Sequence, residues 1–369
     1  MKDMRFGGKQ LFWLMSVMQA GMTILLTINP TLHVVKQDAW ISTFIAGIIG
    51  VWIAFVCSRL SLRFPKETFV EYVVAIAGKW AGNALIGLYL LYWYSLLAII
   101  LRQYADFVLG TILPHTPLLI PIIAMLLVAM YVTHTGIEVI ARCSELFGPF
   151  ILLGILIPLI MAMKDMKLIE LLPMYVDSGI GKLLTGALPT TTFLGDCVML
   201  VMLYAFVNKP GCGTKYAMLG VGAAAFLTCM STFLIITVLG VGTGECLTYP
   251  FFHLVRYVTY FDFIQNLDSL VIAIWIVSVF LKVSLYYFIS TYGTAQWLKI
   301  KRWRRMSWMI APLALLTSLL PRNFVQSSVE FPQKLGMPFL LPFFMLGMPM
   351  VLLGIAKLRN KGQGVQRKN

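Results

Sequence analysis

Residues Leu188–Val207 read L-P-T-T-T-F-L-G-D-C-V-M-L-V-M-L-Y-A-F-V, a run apolar enough to cross a bilayer but interrupted by Gly195 and Asp196. About 20 such residues span the hydrocarbon layer. A glycine and a carboxylate at that depth are tolerated where the segment lines a cavity or packs closely on another helix. Its counterpart upstream is Ser16-Val17-Met18-Gln19-Ala20-Gly21-Met22-Thr23, with polar Gln19 and flexible Gly21 near the centre of another apolar run. Paired interruptions in corresponding spans mark a transporter-type site, where free helix N-termini hold a carboxylate and exposed carbonyls an amine. The competing reading is that Gly21 and Gly195 merely let helices pack closely.

Apolar runs recur along the whole chain. The first span is read at Leu11–Asn29, then Ala39–Cys57, Ala84–Leu101, Leu118–His134 and Leu146–Met163. After Leu188–Val207 come Tyr216–Leu239, Leu270–Thr291, Met306–Leu320 and Met337–Ile355, making about ten spans. The expected fold is therefore an all-α integral membrane protein, a single membrane domain over 1–369. Residues 10–163 would form a first five-helix repeat and 186–357 a second, with a basic cytoplasmic tail at 358–369. Because five is odd, the second repeat would be inverted, and the interrupted first and sixth helices would face each other across the symmetry.

Composition agrees. Hydrophobic residues make up 59% of the chain and charged ones 12%, with a mean hydropathy of +0.85. A soluble domain carries about 25% charged residues. The net charge of +14 does not point to nucleic acid, because the Lys and Arg residues cluster in short segments beside apolar runs. With the N-terminus inside, those segments (Lys2 to Lys9, Arg59 to Lys79, Lys299 to Arg305, Lys357 to Lys368) all lie in the cytoplasm, and so do both termini. Lys164, Lys167 and Lys182, in an outer loop, dissent. Glu67–Trp80, with Phe69, Val73 and Ile76 on one face, reads as a helix on the inner surface and aromatic Tyr249–Phe263 as an outer cap, the alternative for both being ordinary loop helices with no gating role.

No GxxxxGK[ST], HExxH or GxSxG occurs, so neither an enzyme nor an ATP-driven pump is read here. Six cysteines form no CxxC and four histidines stand far apart, so no metal or other cofactor is expected. Lys282 is the sharpest single residue. It lies about 14–18 Å from either end of its span, too deep to snorkel, and so needs a partner or must stay neutral. Asp196 is the candidate partner, either in a ligand site or in a purely structural buried pair. Ser278 and Tyr286 share the face of Lys282. Tyr92 and Tyr94 can reach a cavity or simply pack. Arg142 and Glu145 read as charges at a helix start.

Asp38-Ala39-Trp40-Ile41-Ser42, Phe64-Pro65-Lys66-Glu67-Thr68, Arg142-Cys143-Ser144-Glu145-Leu146-Phe147-Gly148-Pro149, Phe193-Leu194-Gly195-Asp196, Val255-Arg256-Tyr257 and Leu267-Asp268-Ser269-Leu270 follow in order. Together they resemble the B subunit of spore germinant receptors, over essentially the whole length. The resemblance implies the amino acid–polyamine–organocation transporter fold with two inverted five-span repeats. It also implies a place in the inner membrane of the spore, a small nutrient ligand such as an amino acid, and partner A and C subunits. Its pocket would draw on Gln19, Gly21 and Thr23, on Thr192, Leu194, Gly195 and Asp196, and on the facing sides of the third and eighth spans, with Tyr94, Leu97, Lys282 and Tyr286. Asp196 departs from the glutamate expected after Leu-Gly, and Lys282 is unusual for such a pocket. The leading reading is a sensor. An ion-coupled permease for an amino acid or small amine is the alternative, and a membrane partner that binds nothing is a third.

Overall fold

The computed structural model describes residues 4–175, 178–257 and 267–359. Fifteen α-helices follow in order: α1 (Gly8–Leu26), α2 (Ile28–Val35), α3 (Ala39–Leu62), α4 (Phe69–Ala77), α5 (Lys79–Thr111), α6 (Leu119–Thr135), α7 (Ile137–Ala162), α8 (Ile180–Leu194), α9 (Leu200–Leu203), α10 (Pro210–Leu239), α11 (Val241–Cys246), α12 (Pro250–Tyr257), α13 (Leu267–Trp297), α14 (Trp303–Ser318) and α15 (Met348–Leu358). Tight 3-10 turns occupy Gly195–Met199 and Tyr204–Phe206, and wide π-helical winding runs through Gln326–Glu330 and Pro332–Gly347. No strand occurs among the described residues. Among the described residues, seven helical stretches are long and apolar enough to cross a membrane, while the apolar α6 is shorter at 17 residues. This is an integral membrane protein.

Lengths repeat between the halves. The short α4 (9 residues) corresponds to α12 (8 described residues), the long α5 (33) to α13 (31 described residues), and α6 (17) to α14 (16). Each short helix follows the second long helix of its half. A capping box closes the start of α4, where the Glu71 carboxylate accepts the Thr68 backbone N–H at 2.8 Å. Gly78, with φ +90°, then turns the chain directly into α5, a conformation that other L-residues rarely adopt. Phe69, Tyr72, Val73 and Ile76 are fully buried, so α4 is wedged into the bundle. The cap read at Tyr249–Phe263 is observed as α12 up to Tyr257, and the remainder lies outside the described residues. The basic tail from residue 360 onward lies outside them too.

Small residues bring the central helices together. A Cβ on Gly220 of α10 would lie 2.7 Å from the Phe12 carbonyl oxygen of α1, and one on Gly47 of α3 would lie 3.0 Å from Ala225 of α10. Side chains that small allow backbones to approach where lipid supplies no hydrophobic drive between helices.

The first interruption is not at Gly21. That residue lies inside continuous α1, and the helix stops at Thr27, between α1 and α2. Pro30 gives the reason: its ring crowds the carbonyl four residues back, that of Leu26, and it has no N–H to donate. The sixth helix departs from α geometry where the sequence placed it, tightening into 3-10 turns from Gly195. Pro332, Pro338 and Pro342 likewise account for the loss of ordinary winding in the last span.

Candidate functional site

Three elements converge on the middle of the bundle: the step from α8 into the Gly195–Met199 turn, the centre of α13 and the C-terminal half of α5. Lys282 Nζ of α13 sits 2.6 Å from Asp196 Oδ2, with the lysine side chain 1% and the aspartate 7% exposed. The ammonium also lies 5.6 Å from the centre of the Phe193 ring, within cation–π range. Tyr286, one turn along α13, sets its hydroxyl beside the same carboxylate. The lone charge in the eighth span and the acid in the interrupted sixth are thus one buried ion pair.

The pair opens on a narrow space of about 390 Å³, part of it continuous with the outside. Leu96, Ile99, Ile100 and Gln103 of α5 wall it on one side, and Thr192 and Phe193 of α8 on another. The third wall is the π-helical stretch, through Phe331, Pro332, Gly336 and Leu340. Gly195 belongs to this geometry, because a Cβ there would run into the Met345 sulfur of the last span.

Gln19 and Thr23 support the site from α1. Gln19 Nε2 donates to the Leu194 carbonyl at 2.9 Å, where α8 gives way to the 3-10 turn. Thr23 Oγ1 donates to the Gln19 carbonyl at 2.6 Å. Further along, Thr190 Oγ1 of α8 donates to Thr27 Oγ1 at 3.0 Å, so the break in the first helix is stitched to the sixth. Gln19 Oε1, Thr191 Oγ1 and Tyr92 OH are buried without a hydrogen-bond partner in the chain.

Other expected site residues stand elsewhere. Gly21 lines a separate apolar cavity of about 420 Å³ with Phe107, Ile151 and Trp275, and packs against Ser278, whose hydroxyl donates to the Val17 carbonyl at 2.7 Å. Tyr94 bonds Thr294 at 2.6 Å, toward the far end of α13, and Leu97 is packed in the core. Leu194 contributes its carbonyl, its side chain being fully buried. Tyr92 stacks flat on Phe344. Arg142 pairs with Glu138 at 2.5 Å on an exposed turn, outside the site.

A polar latch was missed by the sequence reading. Arg102 Nε bonds Asp106 Oδ1 at 2.9 Å, and the same guanidinium donates to the carbonyls of Pro321 and, at 3.1 Å, Arg322. Asp106 Oδ2 accepts Ser327 Oγ at 3.0 Å, and Gln103 Nε2 donates to the Ser327 carbonyl at 3.1 Å. These bonds tie α5 to the start of the last span. On one side lies the ion-pair cavity, which Gln103 lines. On the other is a larger opening, which Asp106 lines with Tyr249 and His253. There, partial burial and the neighbouring Arg256 hold the His253 imidazole below its ordinary range. Ending the third span at Leu101 hid the latch, although Arg102 and Asp106 stand at the i, i+4 spacing that pairs charges on a helix.

Comparison with known proteins agrees with the all-helical membrane fold. The chain is 26% identical over 337 residues to the spore germination protein YndE of Bacillus subtilis (strain 168), covering 89% of each. It is 25% identical over 377 residues to spore germination protein KB of the same organism, covering all of both. The structure of MhsT in complex with L-phenylalanine superposes with a TM-score of 0.67 at 13% identity, covering 94% of this chain and 88% of that one. That likeness establishes the inverted-repeat transporter fold. Residues 7–326 match the spore permease model, described as spore germination protein, and the chain belongs to that family.

Proposed function

We propose that this protein is the membrane subunit of a spore germinant receptor that binds a small zwitterion, an amino acid above all, at the Asp196–Lys282 pair. The observation that carries the reading is a fully desolvated carboxylate and ammonium meeting beside a cavity in the middle of the bundle. A zwitterion offers both a replacement ammonium for Asp196 and a replacement carboxylate for Lys282, so it can open the pair without stranding either charge. The latch of Arg102, Gln103 and Asp106 closes this pocket from the outside.

In this reading ten spans put both termini in the cytoplasm of the spore inner membrane. The ligand shifts the two repeats between states by no more than its differential affinity for them. Partner A and C subunits pass that shift on. The pocket residues are Asp196, Lys282, Tyr286, Thr192 and Phe193, with Gln19 in support.

Two measurements test the proposal together: nutrient-triggered dipicolinate release from spores carrying Lys282→Met, and uptake of labelled amino acids by the purified protein in vesicles. Loss or altered nutrient preference in the variant, with the protein present and no uptake by the wild type, is the expected result. Concentrative uptake driven by an ion gradient would establish the permease reading instead. An unchanged germination response would remove the pair from the mechanism.

A further inference from the structure

The loop between α7 and α8 is apolar where a water-facing loop would be polar. Leu168, Ile169, Leu172 and Tyr175 are each more than half exposed. Their exposure does not come from a slack chain. The Lys167 backbone N–H donates to the Thr237 carbonyl at 2.8 Å, and Gln37 Nε2 donates to the Pro173 carbonyl at 2.8 Å. The fully buried Asp38 carboxylate accepts the Tyr175 N–H at 3.1 Å and the Ser178 hydroxyl at 2.6 Å. Leu171 is turned inward and buried. The loop is thus fastened to the bundle with its apolar side chains held outward.

These side chains continue the exposed apolar stripe of α7, a helix long and apolar enough to cross a membrane. On α7, Phe150, Leu153, Ile157 and Ile160 are exposed at helical spacing, as a bilayer-facing stripe requires. Met163 carries that stripe to the end of the helix, and Ile180 and Leu184 take it up again on α8. Exposed apolar surface of this extent signals a partner, and the partner of the adjoining stripe is acyl chain.

We infer that residues 163–175 and 178–184 form an interfacial anchor seated in the headgroup layer on the face opposite the main basic segments. The side chains of Leu168, Ile169 and Leu172 enter the upper acyl region, and Lys164, Lys167 and Lys182, all exposed, extend to the headgroup phosphates. The three lysines are matched in this segment by Asp165, Glu170 and Asp177, so apolar burial rather than net charge drives the seating. This also accounts for the lysines that dissent from the inner bias of the other loops: they are interface residues.

Photocrosslinking from p-benzoylphenylalanine in place of Ile169, in the full-length protein, tests the inference in phosphatidylcholine vesicles and in native spore membranes. A lipid-mass adduct in both is expected, changing less than about twofold when phosphatidylglycerol replaces half of the phosphatidylcholine. The same probe at the buried Leu171 position, giving only crosslinks within the chain, checks that the loop is folded. No adduct at position 169 would mean the loop faces water and would overturn the inference. So would a protein adduct replacing the lipid adduct in spore membranes, which would identify the surface as a subunit contact. A roughly fivefold or larger rise with phosphatidylglycerol would overturn the apolar account of the seating.

Discussion

Replacing Lys282 with methionine strands the Asp196 carboxylate in a site where only 7% of its side chain is exposed. Breaking a buried pair from one side costs about 3–5 kcal/mol. Lys282→Met should therefore be destabilised by about that amount, and Asp196→Asn, which strands the ammonium instead, by a similar one. The double variant Lys282→Met/Asp196→Asn loses both charges and should lie within about 1–2 kcal/mol of the parent. Unfolding by dodecyl sulfate in mixed micelles, measured for all four proteins under one set of conditions, gives the coupling directly. A double variant no gentler than either single one would refute the pairing argument.

Gly195→Ala should cost about 1–3 kcal/mol through its collision with Met345, and Met345→Ala in the same chain should recover most of that loss. Gly21→Ala should be destabilising by a similar amount because Ser278 abuts it, with rescue by Ser278→Gly, although Gly21 lies away from the ion-pair cavity. Both are read by thermal stability in detergent. Releasing the latch with Arg102→Ala should make a cysteine placed at Ile99 reactive to a membrane-impermeant thiol reagent added outside. An unreactive Ile99→Cys in that background would mean that closure rests on other contacts.

The bundle was legible because its signals are additive: apolar runs, short basic loops and interfacial segments after the second and seventh spans each draw on many residues. The ion pair was legible for the opposite reason, since a lysine at the depth of Lys282 has few ways to be stable and Asp196 was the acid at comparable depth. The break at Thr27 was misplaced because glycine was taken as the weak point. A helix tolerates a glycine such as Gly21, whereas Pro30 removes a donor and crowds the Leu26 carbonyl outright. The third wall of the cavity could not be read at all. Phe331, Pro332, Gly336 and Leu340 reach it through the packing of the last span on α8, and no local pattern encodes which face of an apolar, proline-rich run turns inward.

That last span is held at both ends. At one end, Arg102 grips the carbonyls of Pro321 and Arg322. At the other end, Arg63 donates to the Ala356 carbonyl at 2.8 Å and Arg359 donates to that of Ile76 at 3.0 Å. Between these grips lies the wide-wound stretch that walls the cavity. A rod pinned at both ends and loosely coiled in the middle behaves as a spring, because rewinding a π turn as an α turn lengthens it along its axis. A guest that tightened the coil around Gly336 would press on both grips at once. The second grip fastens on the end of α3 and on α4, so occupancy at the centre would be felt as force at that end of the bundle without any helix having to swing.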